Sequence, residues 1–185
     1  MLRSGAITRS RWATALLALT LLAGGAVLTA QEQVVPADAS VKAALMFNFA
    51  KFTDWPGMAD NAPINHCVVG DEGVASALVQ VVRGQTIDAH PIVVSRPFEA
   101  SAWGTCQLLF VASSELRRWS ASLAAIRRMP VLTVSDGKGF AQSGGVMEFY
   151  VESGHMHFIA NVDAAALAGV HMSSRLLSLA KVIHD

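Results

Sequence analysis

Hydrophobic positions in this chain fall into two kinds, short unbroken apolar runs and longer stretches at helical spacing. The first helical stretch is VKAALMFNFAKFTDWP, Val41–Pro56. It puts Ala43, Ala44, Phe47 and Ala50 on one face and Leu45, Phe49 and Phe52 on another, leaving Lys42, Asn48, Lys51 and Asp54 for water. A helix this apolar is predicted to be largely buried. It ends near Thr53–Trp55, because Pro56 cannot continue it and biases Trp55 toward an extended conformation. The unbroken runs are NHCVVG (Asn65–Gly70), Ile92–Val94, QLLFV (Gln107–Val111) and VLTV (Val131–Val134). Apolar runs of this length without alternation fit strands buried on both faces. Between them Val74–Val82 and Leu116–Arg128 read as helices. The second carries Leu116, Trp119, Leu123 and Ile126 as its apolar stripe, Ser113-Ser114-Glu115 as its N-cap and Pro130 as its stop.

Strand followed by helix, repeated, predicts an α/β fold: a three-layer α/β/α sandwich with a mainly parallel sheet. Gly144–Val151 and His155–Ala160 break the order, since both alternate and only Glu152-Ser153-Gly154 separates them. They predict an antiparallel hairpin at one edge of the sheet. Asp163–Ala168 is predicted as a short helix and Ser173–Lys181 as the last one, burying Leu176, Leu177, Leu179 and Ala180.

The amino terminus changes the picture of where the chain works. Arg3, Arg9 and Arg11 precede an apolar run from Trp12 to Leu22 and then Gly24-Gly25-Ala26, the order of a secretory signal peptide. The expected division is residues 1–30 as signal peptide, cleaved after Ala26 or Ala30, and 31–185 as one domain. Without the leader's three arginines the chain has 11 basic and 14 acidic residues, a net charge of −3 with histidine neutral. That balance argues against nucleic acid and an anionic membrane as partners, and no direct membrane insertion is expected after signal cleavage. Arg117-Arg118 and Arg127-Arg128 are the only local cationic concentrations, and ordinary helix patterning makes them a solvated surface. Cys67 and Cys106 are the only cysteines. In an oxidising compartment an even pair suggests a disulfide; a redox pair lacks C-x-x-C spacing and a metal site lacks a zinc-type cluster.

Six ordered blocks resemble the YfiR-like family of periplasmic regulatory proteins, beyond the KAALMFNFAKFTDWP opening. They are CVVG at Cys67–Gly70, GQTIDAHPIVV at Gly84–Val94, CQLLFV at Cys106–Val111, PVLTVSD at Pro130–Asp136, the FA-x-x-GG block at Phe140–Phe149, and Phe158–Ala180 with its SSRLL segment. The resemblance implies a periplasmic protein that represses an inner-membrane diguanylate cyclase by binding its periplasmic domain. It also implies a Cys67–Cys106 disulfide, while a second cysteine pair known in some relatives is absent here. On that reading the chain is a non-enzymatic regulator, a homodimer, without cofactor, and its partner is the periplasmic domain of a diguanylate cyclase or a sensor kinase. The expected contact residues are Asn48, Lys51, Phe52 and Trp55 on the first helix and Asn161 and Arg175 in the last block. Asn161 and Arg175 have an equal alternative role, tying chain ends together.

Two other readings stay open. A small molecule could sit beyond the strand ends, at Gly70, Ser113, Ser135 and Asp136, making the chain a periplasmic solute-binding component that reports to a sensor kinase or transporter. The serines and Asp136 are equally explained as caps and turns. No G-x-G-x-x-G follows the first strand, which disfavours a dinucleotide. Enzyme candidates are weak, because neither Ser113 nor Ser135 lies in a G-x-S-x-G elbow. His155 and His157 share a strand face but have only His171 as a third ligand, so they read as solvent-facing.

Overall fold

Each unbroken apolar run becomes a strand of one sheet. The computed structural model describes residues 37–185, in the order α1 (Ala37–Lys51), β1 (Thr53–Asp54), β2 (Ile64–Val69), α2 (Glu72–Val81), β3 (Thr86–Ile87), β4 (His90–Ser95), β5 (Leu108–Val111), α3 (Leu116–Ile126), β6 (Leu132–Ser135), β7 (Met147–Glu152), β8 (His155–Asn161), α4 (Val162–Ala168), β9 (His171–Met172), α5 (Ser174–Leu177) and β10 (Lys181–Ile183). Eight strands form the main sheet in the order β10-β8-β7-β6-β5-β2-β4-β3, and β1 and β9 make a separate two-stranded one. Neighbours from β4 through β7 are parallel, as are β8 and β10; β7–β8 and β3–β4 are antiparallel. The sheet grows outward from β2 in both directions, so a topological switch point lies between β2 and β5.

Alternation along the buried strands divides the core into two layers. Ile64, Val68, Leu108, Phe110, Leu132, Val134, Met147 and Phe149 join α1 and α2 in the larger cluster. Ala43, Met46, Phe49 and Ala50 of α1 are wholly buried there. Phe49 stacks on Phe149 at 5.5 Å and meets Phe158 edge-on at 4.8 Å, contacts that favour one seating of α1 beyond simple area burial. The opposite layer gathers Cys67, Val69, Leu109, Val111 and Val131 under α3, whose Leu116, Trp119, Leu123 and Ile126 are the stripe expected from sequence. Trp103, on a 3₁₀ turn at Ala100–Thr105, is fully buried against Trp119. The fold class is therefore the expected α/β sandwich.

Several details differ from the sequence reading, each through a long-range partner. Lys42, expected in water, is 6% exposed because it reaches Asp136. The helix expected over Ser173–Lys181 stops at Leu177, and Lys181–Ile183 instead pairs with β8. The hairpin is thus one strand in from the edge, and Leu179, expected to be buried, is 71% exposed. A second hairpin, β3–β4, forms the other edge. Ser113–Glu115 forms a 3₁₀ turn that leads into α3 without a side-chain cap. Parallel β6 and β7 are joined by residues 136–146, which hold only a 3₁₀ turn at Ala141–Ser143 where such a crossover usually places an α-helix. The leader, its cleavage site and the mature start lie outside the described residues.

Candidate functional site

The end of α1 and the start of α5 meet at one surface. Asn48, Lys51 and Phe52 recur at helical spacing, and Asn48 and Lys51 are exposed while Phe52 is half-buried. Beyond Phe52 the chain pairs with β9, Thr53 opposite Met172 and Asp54 opposite His171. Ser173 N–H donates to the Phe52 carbonyl at 2.9 Å, and Ser173 then caps α5 through its hydroxyl. This clasp lays the exposed Arg175 guanidinium over the Phe52 ring, 5.3 Å from its centroid, a cation–π contact. Two segments more than a hundred residues apart, each picked out by sequence, thereby share Asn48, Lys51, Phe52 and Arg175 on one surface.

The other two residues expected there are internal. Trp55 is 8% exposed and its indole N–H donates to the Gln107 carbonyl at 3.0 Å. Asn161 is wholly buried and caps α4, accepting from Ala164 N–H at 2.9 Å. Its amide donates to the Ala141 carbonyl and to the Asp185 carboxylate. It ties the carboxy-terminal end to the crossover, the second of the two roles open from sequence.

The four strand-end residues do not line one cavity. Ser135 is buried, its hydroxyl donating to the Val111 carbonyl and accepting from Gly137 N–H. Asp136 accepts from Ser113 N–H and from Lys42, each at 2.7 Å. Burial pushes the Lys42 ammonium toward neutrality, but Asp136 and Asp38 outweigh it and hold its pKa above the ordinary value. Burial likewise disfavours the Asp136 carboxylate, and Lys42 with Ser113 N–H outweighs it, leaving its pKa lowered. Ser113 is exposed, and Gly70 alone of the four lines a hollow of about 340 Å³ at the ends of β2 and β4. There Gly70 holds φ +84°, and a β-carbon would meet the Glu115 side chain at 2.4 Å. The Glu72–Arg96 and Glu115–Arg118 ion pairs already occupy its lining.

Cys67 and Cys106 form a disulfide, with Cα atoms 5.9 Å apart and both residues at most 2% exposed. It joins β2 to the segment entering β5, beneath Trp103. His155 and His157 are exposed, and no group of three metal-ligating side chains occurs among the described residues. No helix among the described residues is long and apolar enough to cross a membrane.

Sequence reasoning missed Lys42, whose helical position alone gave no sign of a partner, and Glu148, a carboxylate 3% exposed that accepts from Gly139 and Ala141 N–H at 3.1 and 2.9 Å. Its polar position in an otherwise apolar strand was the available signal.

A disulfide-tied α/β sandwich with a clasped surface is the class defined by these features. Residues 39–181 match the family described as YfiR/HmsC-like, DUF4154. The chain belongs to that family. No curated protein matches the sequence. Among solved structures, a conserved domain protein from Vibrio cholerae is similar in fold, with TM-score 0.50 and 8% identity over 80% of this chain; the match spans 60% of that protein's length.

Proposed function

We propose that this protein is a periplasmic regulator that represses an inner-membrane signalling enzyme, a diguanylate cyclase of the cyclic-di-GMP pathway, by binding its periplasmic domain, and that it acts as a homodimer. Membership of the YfiR/HmsC-like family over residues 39–181 carries the reading. The disulfide suits an oxidising compartment. The surface shared by Asn48, Lys51, Phe52 and Arg175 offers a ring, two cations and an amide, a composition that suits a protein contact. Trp55, buried just beyond Phe52, supports that surface from inside, whereas Asn161 bonds to Ala141, Ala164 and Asp185 and to no residue of the surface.

Binding alone suffices for repression. A regulator that binds the inactive conformation of a cyclase more tightly than the active one shifts the population toward the inactive state by that differential affinity. No catalytic group or cofactor is needed.

The test is recovery of partners from detergent-solubilised inner membrane on the immobilised full chain, identified by mass spectrometry, with Lys51→Glu and Arg175→Glu as comparators. A diguanylate cyclase or sensor kinase retained by the parent and lost with folded variants supports the reading. Equal retention by all three removes the surface from it, and a parent that retains neither class of enzyme overturns it.

A second reading, a solute-binding component reporting to a sensor kinase or transporter, draws on a separate cavity beside α3.

A further inference from the structure

The crossover between β6 and β7 leaves space beside α3 that a packed helix would fill. A cavity of about 300 Å³ opens there, at the small end of the roughly 300–1,000 Å³ typical of small-molecule sites. Its apolar wall includes Leu123 and Ile126 of α3, Val131 before β6, Phe140 and Val146 of the crossover, and Ala168 of α4. Arg117, Arg127 and Lys138 also line it, and no acidic side chain does. None of these three cations has a carboxylate partner among the described residues. The neighbouring Arg118, by contrast, pairs with Glu115 and lies over Trp119. The arginines of the two pairs are thus not equivalent members of a solvated face: Arg117 and Arg127 line the cavity, and Arg118 turns to Glu115 and Trp119.

The wall is held in place. Glu148 anchors the crossover at Gly139 and Ala141, Asn161 donates to the Ala141 carbonyl, and Thr133 accepts from Val146 N–H at 3.0 Å. Arg127 crosses Gly144 to donate to the Ser143 carbonyl. Gly144 has φ +87°, and a β-carbon there would lie 3.0 Å from the guanidinium carbon. At Gly145 a β-carbon would come within 2.2 Å of the Phe140 ring. The Gly-Gly pair therefore allows Arg127 and Phe140 to close over the crossover.

We propose that this cavity binds an amphipathic monoanion, a medium-chain carboxylate in size and character, with its apolar body against α3 and the crossover and its head among Arg117, Arg127 and Lys138. Apolar walls with unpaired cations of one sign select this class. A purely polar anion would leave the wall without a partner, and a cationic or zwitterionic amphiphile would place positive charge against three others. Arginine matches a planar carboxylate through two parallel hydrogen bonds. The site is independent of the partner surface and does not rest on the regulator reading.

Calorimetric titration of the purified full chain with decanoate, below its micelle concentration, tests this. Acetate supplies the head alone, and decyltrimethylammonium the same tail with opposite charge. The expected result is saturable one-to-one binding of decanoate, at least tenfold tighter than either comparator. The Arg117→Gln/Lys138→Gln double variant leaves the crossover's hydrogen bonds in place and is expected to weaken decanoate at least tenfold. Ser120→Trp, starting from an exposed position on the cavity wall, is expected to block it. Absence of saturable decanoate binding, equal binding of the cationic amphiphile, or unchanged affinity in both folded variants overturns the proposal.

Discussion

The Lys42 ammonium lies 2.7 Å from the Asp136 carboxylate, joining α1 to the end of β6 across 94 residues of sequence. Asp38, one helical turn before Lys42, also approaches the ammonium at 2.8 Å but is largely exposed. The two contacts should differ in energy accordingly. Lys42→Ala leaves Asp136 part-buried without its cation and is expected to cost about 3 kcal/mol. Asp38→Asn should cost under about 1 kcal/mol, as for exposed pairs. Urea unfolding of both variants beside the parent measures the contrast; equal losses would show that burial does not distinguish them.

His66 gives stability a pH dependence. It is wholly buried in β2, and neither ring nitrogen has a hydrogen-bond partner among the described residues. Burial pushes its pKa down to about 4 from 6.5. The folded state therefore binds fewer protons than the unfolded one between these values. Stability is expected to be level in this respect above pH 6.5 and to fall by about 3 kcal/mol as pH drops toward 4. His66→Leu should flatten that interval. The lowered Asp136 pKa acts separately, stabilising above its ordinary value of 3.8 and losing that contribution as pH falls through the folded-state value. Denaturant midpoints from pH 7.5 to 4.0 for parent and variant decide the assignment.

The disulfide spans 39 residues of sequence. The loop-entropy estimate gives about 4 kcal/mol for such a closure. Cys67→Ala/Cys106→Ala is expected to lower unfolding stability by about 3–4 kcal/mol, with native-like circular dichroism at low temperature. A loss under about 1 kcal/mol would mean that the packing around Trp103 holds these segments together unaided.

Asn161 and Arg175 should separate by kind of effect. Asn161→Ala removes a helix cap and leaves the Ala141 carbonyl without its amide donor, for an expected loss of about 2–3 kcal/mol. Arg175→Ala removes an exposed cation–π contact and should cost under about 1 kcal/mol of stability while weakening partner capture. Thermal unfolding and the membrane pull-down, run on both variants, resolve the two roles.

Local pattern was enough wherever a segment's own residues determine its form. The stripe Leu116, Trp119, Leu123 and Ile126 faces the core as its spacing requires, and alternation around Glu152-Ser153-Gly154 marks the β7–β8 hairpin. Lys42 was legible only as a cation on a helix, because the carboxylate that draws it inward comes from β6. Ser178–Lys181 looked helical because Leu176, Leu177 and Ala180 share helical spacing, yet pairing of Lys181–Ile183 with β8 decides the last strand. The candidate surface was visible as two separate segments; their meeting depends on the β1–β9 register. The cavity beside α3 was hidden for a related reason. It comes from a crossover without a full helix, and residue spacing alone gives no space between distant elements.

The β1–β9 clasp also makes the far end of the chain a condition for the near one. With only two residues in each strand, its amides should exchange with solvent deuterium sooner than those of β5 or β6, which are enclosed on both sides. Each opening would lift Arg175 away from Phe52 and dissolve the surface while leaving the sheet intact. A partner seated there would slow exchange at Phe52–Asp54 and His171–Ser173 together, so two short stretches at opposite ends of the domain would report one binding event.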